Sequence, residues 1–180
     1  MEIKAGGTPR KWTDSPAKSR QKDTDARWTK KRGQSHYGYK NHINVDRRHK
    51  LVRRYHVSDA AVHDSQVLDE ILDRDNTASG VWADSVYRSA ALEEKGLKSR
   101  IHRKGRRGKP LSEREKRGNK TRSSVRVRVE HFFGAQRNDM GGTLMRSIGL
   151  VRATARIGLK NLAYNMRRLV QLERLAATTA

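Results

Sequence analysis

Cysteine is absent from the 180-residue sequence, and long apolar runs are missing as well. The lack of cysteine excludes a disulfide framework and a thiolate metal site. No apolar run approaches the length needed to span a bilayer, and residues 1–11 have no apolar segment like that of a signal peptide. We therefore expect a soluble, cytoplasmic (nucleoid-associated) protein with no membrane partner, whose length suits one domain of ordinary size.

Acidic residues are also few, and their shortage is uneven. The formal net charge is +22: residues 1–90 carry 18 Lys and Arg against 12 Asp and Glu, and residues 91–180 carry 23 against 7. Residues 98–128 alone hold 14 basic and 2 acidic side chains. Such a concentration neutralises phosphates and releases counterions, which predicts a nucleic-acid partner. A solvated, disordered basic loop is the alternative interpretation.

A single carboxylate, Glu130, lies in the basic stretch from Arg117 to Arg137. Between Arg117 and Arg137 the sequence has six Lys or Arg residues and no other acid. Glu130 is therefore either a charge partner for its neighbours, of small energetic value, or a functional group placed where a polyanion binds.

Alternating residues predict a β-hairpin in the first half of the chain. In residues 37–45, tyrosine and aliphatic side chains point one way and polar side chains, including His42, point the other. One face of this strand should be buried and the face of His42 exposed. Residues 51–58 read as the returning strand after a polar turn.

Further elements follow from local patterns. Residues 64–74 look helical, the apolar run 80–84 is typical of a central strand, and residues 98–105 suggest another strand. Residues 105–120 predict a basic loop with Gly and Pro punctuation, and residues 1–35 predict a flexible basic arm. Strands interleaved with helices favour a mixed α/β layer fold.

Two helices are expected in the last third of the chain. The helix 123–136 places Phe132 and Phe133 on its apolar face, with Glu130 at the border of that face. The last helix carries an apolar stripe that we expect to be core, formed by Ala155, Leu159, Leu162, Met166 and Leu169.

Two acids stand out by position. Asp84 closes a predicted buried strand, where α/β folds gather their ligands, and Glu130 lies on a helix 46 residues later. Both are hard oxygen ligands, the type that Mg²⁺ or Mn²⁺ prefers. Taken singly, a strand-end aspartate is more often a turn or helix cap, and a glutamate near arginines is more often an ion-pair partner.

The motifs HYGYKNHINVD…VSDAAVHDSQVL, WADSVYRS and VRVRVEHFFGAQR occur in this order. Together they resemble the C-terminal part of DDE transposases from bacterial insertion sequences, of the fifth insertion-sequence family. The resemblance runs from about Trp28 to Leu172. It implies an RNase H-like fold in which three acids hold two Mg²⁺ ions that cut and join DNA.

The resemblance carries over residue by residue. The family's second aspartate falls on Asp84 and its glutamate on Glu130. The related signature Tyr-x2-Arg-x3-Glu-x6-Lys maps onto Ser123, Arg126, Glu130 and Arg137, so that two residue types match, one keeps its charge and the tyrosine is absent. The implied catalytic residues are Asp84, Glu130, Arg126 and Arg137, with Asp84 and Glu130 as metal ligands. His63 and Asp64 of VHDS are expected to shape a turn.

The basic region supplies the expected contacts with transposon ends and target DNA. The candidate DNA-binding residues are Arg103, Lys104, Arg106, Arg107, Lys109, Lys120, Arg122 and Arg128. A homo-oligomer or a full-length transposase is a further possible partner.

One departure from the family concerns its first aspartate, which ends the first strand of the fold. Asp14, Asp23 and Asp25 lie in polar, unpatterned surroundings that are poor for presenting a buried ligand. We therefore expect a shortened transposase, with residues 36–175 forming a partial catalytic domain that is inactive alone. A noncatalytic DNA-binding protein, or a regulator acting on a full-length transposase, is the alternative.

Overall fold

Among the residues that the structure describes, three antiparallel strands form the larger sheet, in the order β1 (Arg27–Lys31), β2 (Gln34–Val45) and β3 (Val52–Asp59). The structure is a computed structural model that describes residues 7–31, 33–73, 75, 80–84, 87, 92–142 and 144–179. The hairpin predicted from alternation is confirmed: β2 pairs with β3 from Tyr39↔Asp59 to Val45↔Val52.

The segment before this hairpin forms two short helices and a strand, which its composition does not predict. Helices α1 (Arg10–Thr13) and α2 (Pro16–Arg20) precede β1. All three elements lie within residues 1–35, for which the sequence suggests a flexible arm. The hydroxyl of Tyr39 donates a hydrogen bond of 2.6 Å to the Asp23 carboxylate, and this bond fastens the segment to β2.

Both faces of β2 are covered, so the expected exposure of His42 is wrong. His42 is buried, and its Nε2 lies 2.8 Å from the hydroxyl of Ser58 on β3. A 3₁₀ turn (Asp64–Val67) and helix α3 (Leu68–Ile71) cover this face, where the Asn44 amide donates to the Ile71 carbonyl at 2.9 Å. Alternation finds the strand but cannot tell a solvated face from one covered by a short helix.

The 3₁₀ turn replaces the first part of the helix predicted for residues 64–74. His63 is its N-cap, and the His63 ring accepts from the Ser65 backbone N–H, as expected for a turn-shaping residue. The apolar side chains there pack as predicted: Val67, Leu68 and Ile71 are buried.

A second sheet consists of two short parallel strands, β4 (Gly80–Val81) and β5 (Lys98–Ser99). Each occupies only the start of a predicted strand, 80–84 or 98–105. The expectation that Asp84 closes a buried strand is wrong, because β4 ends at Val81 and residues 80–83 are only partly buried. Gly96, shortly before β5, has φ of 71°, the left-handed conformation in which glycine commonly ends a helix.

Helix α4 spans Glu113–Asn138, so the loop expected to extend through residue 120 is wrong in its last part. Ser112 and Glu115 form a capping box: the Ser112 hydroxyl accepts from the Glu115 N–H, and the Glu115 carboxylate accepts from the Ser112 N–H. These bonds satisfy two backbone donors at the helix start and extend the helix over a strongly basic stretch.

Helix α5 (Leu150–Thr179) packs against the sheet together with α4. The core between them joins Val52, Phe132 and Tyr164, and the last two rings meet edge to face with centroids 4.7 Å apart. Phe133, expected to be core, is 41% exposed because the turn that faces the sheet carries Phe132 and Gln136 instead.

The apolar stripe expected to bury α5 is also exposed. The buried residues of α5 are Ala153, Ile157, Asn161 and Tyr164. Asn161 faces the sheet because its amide exchanges hydrogen bonds with Asn41 and accepts one from Gln136. In the described part of the chain, no helix is long and apolar enough to cross a membrane.

Candidate functional site

The two candidate acids lie on elements that an ion pair connects. Asp84 follows β4, and its Oδ2 lies 3.4 Å from Nη2 of Arg126 on α4. The Asp84 side chain is 49% exposed and that of Arg126 is 30% exposed. An ion pair so close to solvent adds less than about 1 kcal/mol to stability, so its main effect is to place Asp84 beside α4.

Glu130 lies one helical turn after Arg126 on the same side of α4 and is exposed. The four-residue separation corresponds to a rise of about 6 Å along the helix. Among the described residues, no ion pair joins Glu130 to Arg126 or Arg137, and Arg126 pairs with Asp84 instead. The alternative in which Glu130 is a charge partner of these arginines therefore lacks its expected contact. The expected position of Glu130 at the border of the buried face is wrong, because its side chain is exposed.

Tyr87 brings two of the sequence motifs together. It belongs to WADSVYRS, and Asp64 belongs to VHDS. Burial raises the pKa of the Tyr87 hydroxyl to about 12, and the negative charges of Asp64 and Asp84 add to the effect. Both carboxylates therefore lie within electrostatic reach of the same phenol, which brings the two motifs to the same part of the fold.

Arg47 and Trp82 belong to the same neighbourhood, and sequence analysis missed both. The guanidinium of Arg47, in the β2–β3 turn, lies over the Trp82 ring at 4.9 Å from its centroid. Arg128 donates a hydrogen bond to the Arg47 backbone carbonyl. Arg47 and Arg126, on two elements, thus contact the segment that ends in Asp84, and Arg128 holds the Arg47 backbone. The position of Trp82, two residues before the candidate acid Asp84, is the sequence signal that could have identified it.

The basic loop before α4 is attached to the helix by a side-chain clamp. Asn119 accepts from the Arg103 backbone N–H at 3.0 Å and donates to the Arg103 carbonyl at 2.9 Å. The Arg103 guanidinium also donates to Glu115 at 3.1 Å. Backbone bonds from Ser112 and the Arg103 contact lower the pKa of Glu115 to about 2, so this anchor stays ionised.

A tight turn presents the middle of the loop. Arg106 and Lys109 exchange two backbone hydrogen bonds of 3.1 and 2.9 Å, and Gly108 takes the left-handed conformation that the turn requires. The cationic side chains at this turn stand in solvent.

Most of the predicted DNA-binding side chains are accessible. The exposed ones are Arg103, Lys104, Arg106, Arg107, Lys109 and Lys120. Arg122 and Arg128 are partly buried, and Arg122 donates to the Asn119 side chain at 3.0 Å. Arg137 is exposed on α4. In the described residues the basic region is a solvent-exposed loop with a hydrogen-bonded turn, followed by a helix.

The donor set fits a divalent cation in chemistry but not in number. Carboxylate oxygens suit Mg²⁺ or Mn²⁺, and Asp84 and Glu130 supply two such groups. Within the described residues, no group of three or more histidine, cysteine, aspartate or glutamate side chains is placed to hold a metal ion. Two carboxylates can hold one ion weakly, and a paired-metal arrangement needs further ligands.

Comparison with known proteins defines the class. Residues 7–166 match the family model described as the transposase DDE domain, so the chain belongs to this family. The transposase for insertion sequence element IS1106 of Neisseria meningitidis serogroup B is 32% identical over 149 residues. That match covers 81% of this chain and 51% of the relative, so the chain spans about half the length of the curated relative. No solved structure matches the chain.

Proposed function

We propose that this chain is part of the catalytic domain of an insertion-sequence transposase, in which Asp84 and Glu130 are metal ligands at the DNA-joining site. The observation that supports the proposal most is the ion pair that brings Asp84 onto the α4 face of Arg126 and Glu130. Family membership supplies the class of reaction, and the IS1106 relative supplies its setting in an insertion sequence.

The two acids would hold Mg²⁺ or Mn²⁺, which supplies activation of a water or hydroxyl against a phosphodiester when bound. The contribution of the chain itself is placement. Arg126 keeps the Asp84 carboxylate beside α4, and the contact of Arg47 with Trp82 anchors the preceding residues. An ion that binds Asp84 must compete with the Arg126 guanidinium.

The arginines have a second role in this proposal, which is to receive phosphate. Guanidinium groups bind phosphate oxygens in bidentate geometry and offset the charge that builds up during phosphoryl transfer. Arg126, Arg137 and the exposed side chains of the loop 103–109 extend along one end and one side of α4. DNA contacts through them position the backbone without reading its sequence.

In the described residues the strands form an antiparallel sheet and a separate parallel pair, not the single mixed sheet that the sequence predicts. This α/β arrangement with flanking helices is compatible with an RNase H-like fold, which we propose for the complete domain. With two acids and no group of three in the described residues, the isolated chain should bind DNA and show little or no strand transfer.

The experiment is a pair of assays on the purified chain. Binding to a labelled DNA duplex is measured by fluorescence anisotropy, and joining of a labelled transposon end is measured with Mg²⁺, Mn²⁺ or a chelator. We expect salt-sensitive binding, joining near background, and divalent-ion binding that Asp84→Asn and Glu130→Gln both remove. Efficient joining by the isolated chain would contradict the inactive-alone part of the proposal.

The alternative is a noncatalytic DNA-binding protein or a regulator of a full-length transposase, for which the exposed basic loop alone would suffice. The acid substitutions separate the two functions. A catalytic domain loses metal binding and keeps or tightens DNA binding, because two negative charges leave a DNA-facing surface. A noncatalytic protein shows no dependence on divalent ions in wild type or variants.

A further inference from the structure

Side chains from both long helices hold the backbone of the turn between β2 and β3 (residues 46–51). Arg128 of α4 donates a hydrogen bond to the Arg47 carbonyl, and Nε of Arg168 on α5 donates to the His49 carbonyl at 2.7 Å. Hydrogen bonds from a charged donor are stronger than neutral ones, so these two contacts fix the position of the turn relative to both helices.

The same turn has an unusual backbone. Lys50 has φ of 62°, and among the described non-glycine residues it alone has a positive φ. Such a conformation is costly for a residue with a side chain and persists only where the surroundings hold it. The Asp46 carbonyl accepts from the Lys50 N–H at 3.1 Å, and the Asp46 N–H donates to the Leu51 carbonyl at 2.8 Å. The turn therefore has one defined shape.

This turn carries a side chain that contacts the candidate site. The Arg47 guanidinium lies 4.9 Å from the centroid of the Trp82 ring, and Trp82 is two residues before Asp84. The ring also packs against Gly80 of β4, so closely that a Cβ there would lie 3.1 Å from it. Trp82 thus connects the turn to β4 and to the segment that ends in Asp84.

Arg128 projects from a different side of α4 than the candidate site residues. At about 100° per residue, Arg128 lies about 200° around the helix axis from Arg126, whereas Glu130 and Arg137 lie within about 40° of Arg126. Arg128 is also partly buried, and one of its donors is used by the Arg47 carbonyl. A DNA backbone that follows the side of Arg126 and Arg137 would therefore pass away from Arg128.

From these contacts we propose that Arg128 is a positioning residue for the segment that ends in Asp84, and not a phosphate contact. Its bond to the Arg47 carbonyl fixes the turn, the Arg47 guanidinium holds the Trp82 ring, and Trp82 fixes the residues that lead to Asp84. The inference rests on the proposed function, because it concerns how a proposed metal ligand is held. Arg126 and Arg128 then hold this segment from two sides of the same helix.

The first test follows Trp82 in the full chain by fluorescence. Replacing Trp12 and Trp28 by phenylalanine leaves Trp82 as the one tryptophan of the sequence, and quenching by acrylamide then reports how accessible its ring is. Arg128→Gln should make the ring more accessible, and Arg128→Lys, which can donate to the same carbonyl, should restore the wild-type quenching. Arg122→Gln is the matched control, because Arg122 is also partly buried on α4 but donates to a side chain of its own helix.

The second test separates a positioning role from a phosphate contact. A lost phosphate contact makes the slope of log affinity against log salt shallower by about 0.9 for duplex DNA. Arg128→Gln should leave this slope unchanged, whereas Arg106→Ala, at the exposed loop turn, should show the decrease. Circular dichroism of each variant checks that the chain is folded.

The third test is Mn²⁺ affinity, which a change of charge and a change of position move in opposite directions. Loss of a nearby cation alone would raise the affinity. Arg128→Gln should instead lower it by about tenfold, the size of effect that residues behind a metal ligand commonly have. Arg47→Ala should give a similar loss, and the double variant no more than either alone, because both act by the same path. Arg48→Ala is the control, since it removes the same charge from the neighbouring position of the turn.

Unchanged quenching of Trp82 in Arg128→Gln would overturn the proposal, as would a salt slope shallower by about 0.9 in that variant. Additive losses of Mn²⁺ affinity in the double variant would also overturn it. A wild type whose Mn²⁺ binding is absent, or is unchanged by Asp84→Asn, would contradict the proposed function instead. The quenching and salt tests need no metal ion, so they decide the role of Arg128 in either case.

Discussion

Arg126 on α4 reaches Asp84 after β4 across 42 positions of sequence, with 3.4 Å between Nη2 and Oδ2. This relationship joins the two segments that carry the candidate acids. It also sets a competition, because the carboxylate that a cation would need already faces a guanidinium.

The first prediction tests that competition. Arg126→Gln should raise the affinity of the chain for Mn²⁺, because Asp84 loses its cationic neighbour, and should weaken DNA binding because one phosphate contact is lost. The measurements are Mn²⁺ titration by electron paramagnetic resonance and anisotropy with labelled DNA. Arg137→Gln is the matched control, since it removes the same charge from the same helix without contacting Asp84. Equal Mn²⁺ affinities in the two variants would argue against the competition.

The second prediction concerns the loop turn. Each phosphate contact contributes about −0.9 to the slope of log affinity against log salt for duplex DNA. Arg106→Ala combined with Arg107→Ala should therefore make the slope shallower by up to about 1.8. Arg53→Ala combined with Arg54→Ala removes the same charge from arginines paired with Asp73, and should change the slope less. Equal slopes for the two double variants would remove the loop turn from the DNA interface.

The third prediction is a pH dependence of stability. Burial, followed by the charges of Lys40 and His56, lowers the pKa of His42, while Asp64 opposes the shift. The folded state then binds fewer protons than the unfolded state below the usual pKa of 6.5. Stability linked to His42 is therefore complete above that pH and is lost as the pH falls through 6.5 toward the lowered folded value.

The check is thermal melting from about pH 7 to about pH 5, the range in which histidines change charge. Wild type should lose more melting temperature than His42→Gln, which keeps a polar group near Ser58 without a titrating ring. The two proteins differ only at residue 42, so the difference between their losses reports on the His42 ring. Identical losses would show that His42 is protonated at no cost to the fold.

The fourth prediction is that Gly158→Ala changes the free energy of unfolding in opposite directions in the wild-type and Tyr55→Ala backgrounds. A Cβ at position 158 would lie 3.1 Å from Cζ of Tyr55 and closer still to its hydroxyl. Gly158→Ala should therefore destabilise the protein by about 1–3 kcal/mol through overpacking. In a Tyr55→Ala background the clash is gone, and the same change should stabilise it by up to about 1 kcal/mol through helix propensity. Urea unfolding of the four proteins measures both values, and a cost in both backgrounds would contradict the clash.

The sequence predicted the hairpin and the positions of β4 and β5, because alternation and apolar runs are local signals. It missed the length of α4 because the basic composition of residues 113–120 masked the capping box at Ser112 and Glu115. That S-x-x-E pattern is readable from sequence, and giving it precedence over charge would have placed the helix start.

The burial of the two long helices could not be predicted from periodicity alone. On α5 the buried face is the one that contains Asn161, and the longer aliphatic stripe is exposed. Asn161 can be buried because amide groups on β2 and α4 form hydrogen bonds with its side chain. The same limit applies to the candidate site. Spacing selected Asp84, Arg126 and Glu130, but the contact between Arg47 and Trp82 depends on how a turn folds over a separate sheet.

The parallel pair of β4 and β5 has two residues in each strand, and the segment that ends in Asp84 depends on it. So short a ladder has little cooperativity of its own, and the exposed Arg126 and Arg47 contacts add little stability. A polyanion that touches both α4 and this segment would favour the conformation in which they lie together. Under the proposed function, order in that segment and DNA binding would then be a single equilibrium, in which bound DNA stabilises the packing of this segment beside α4.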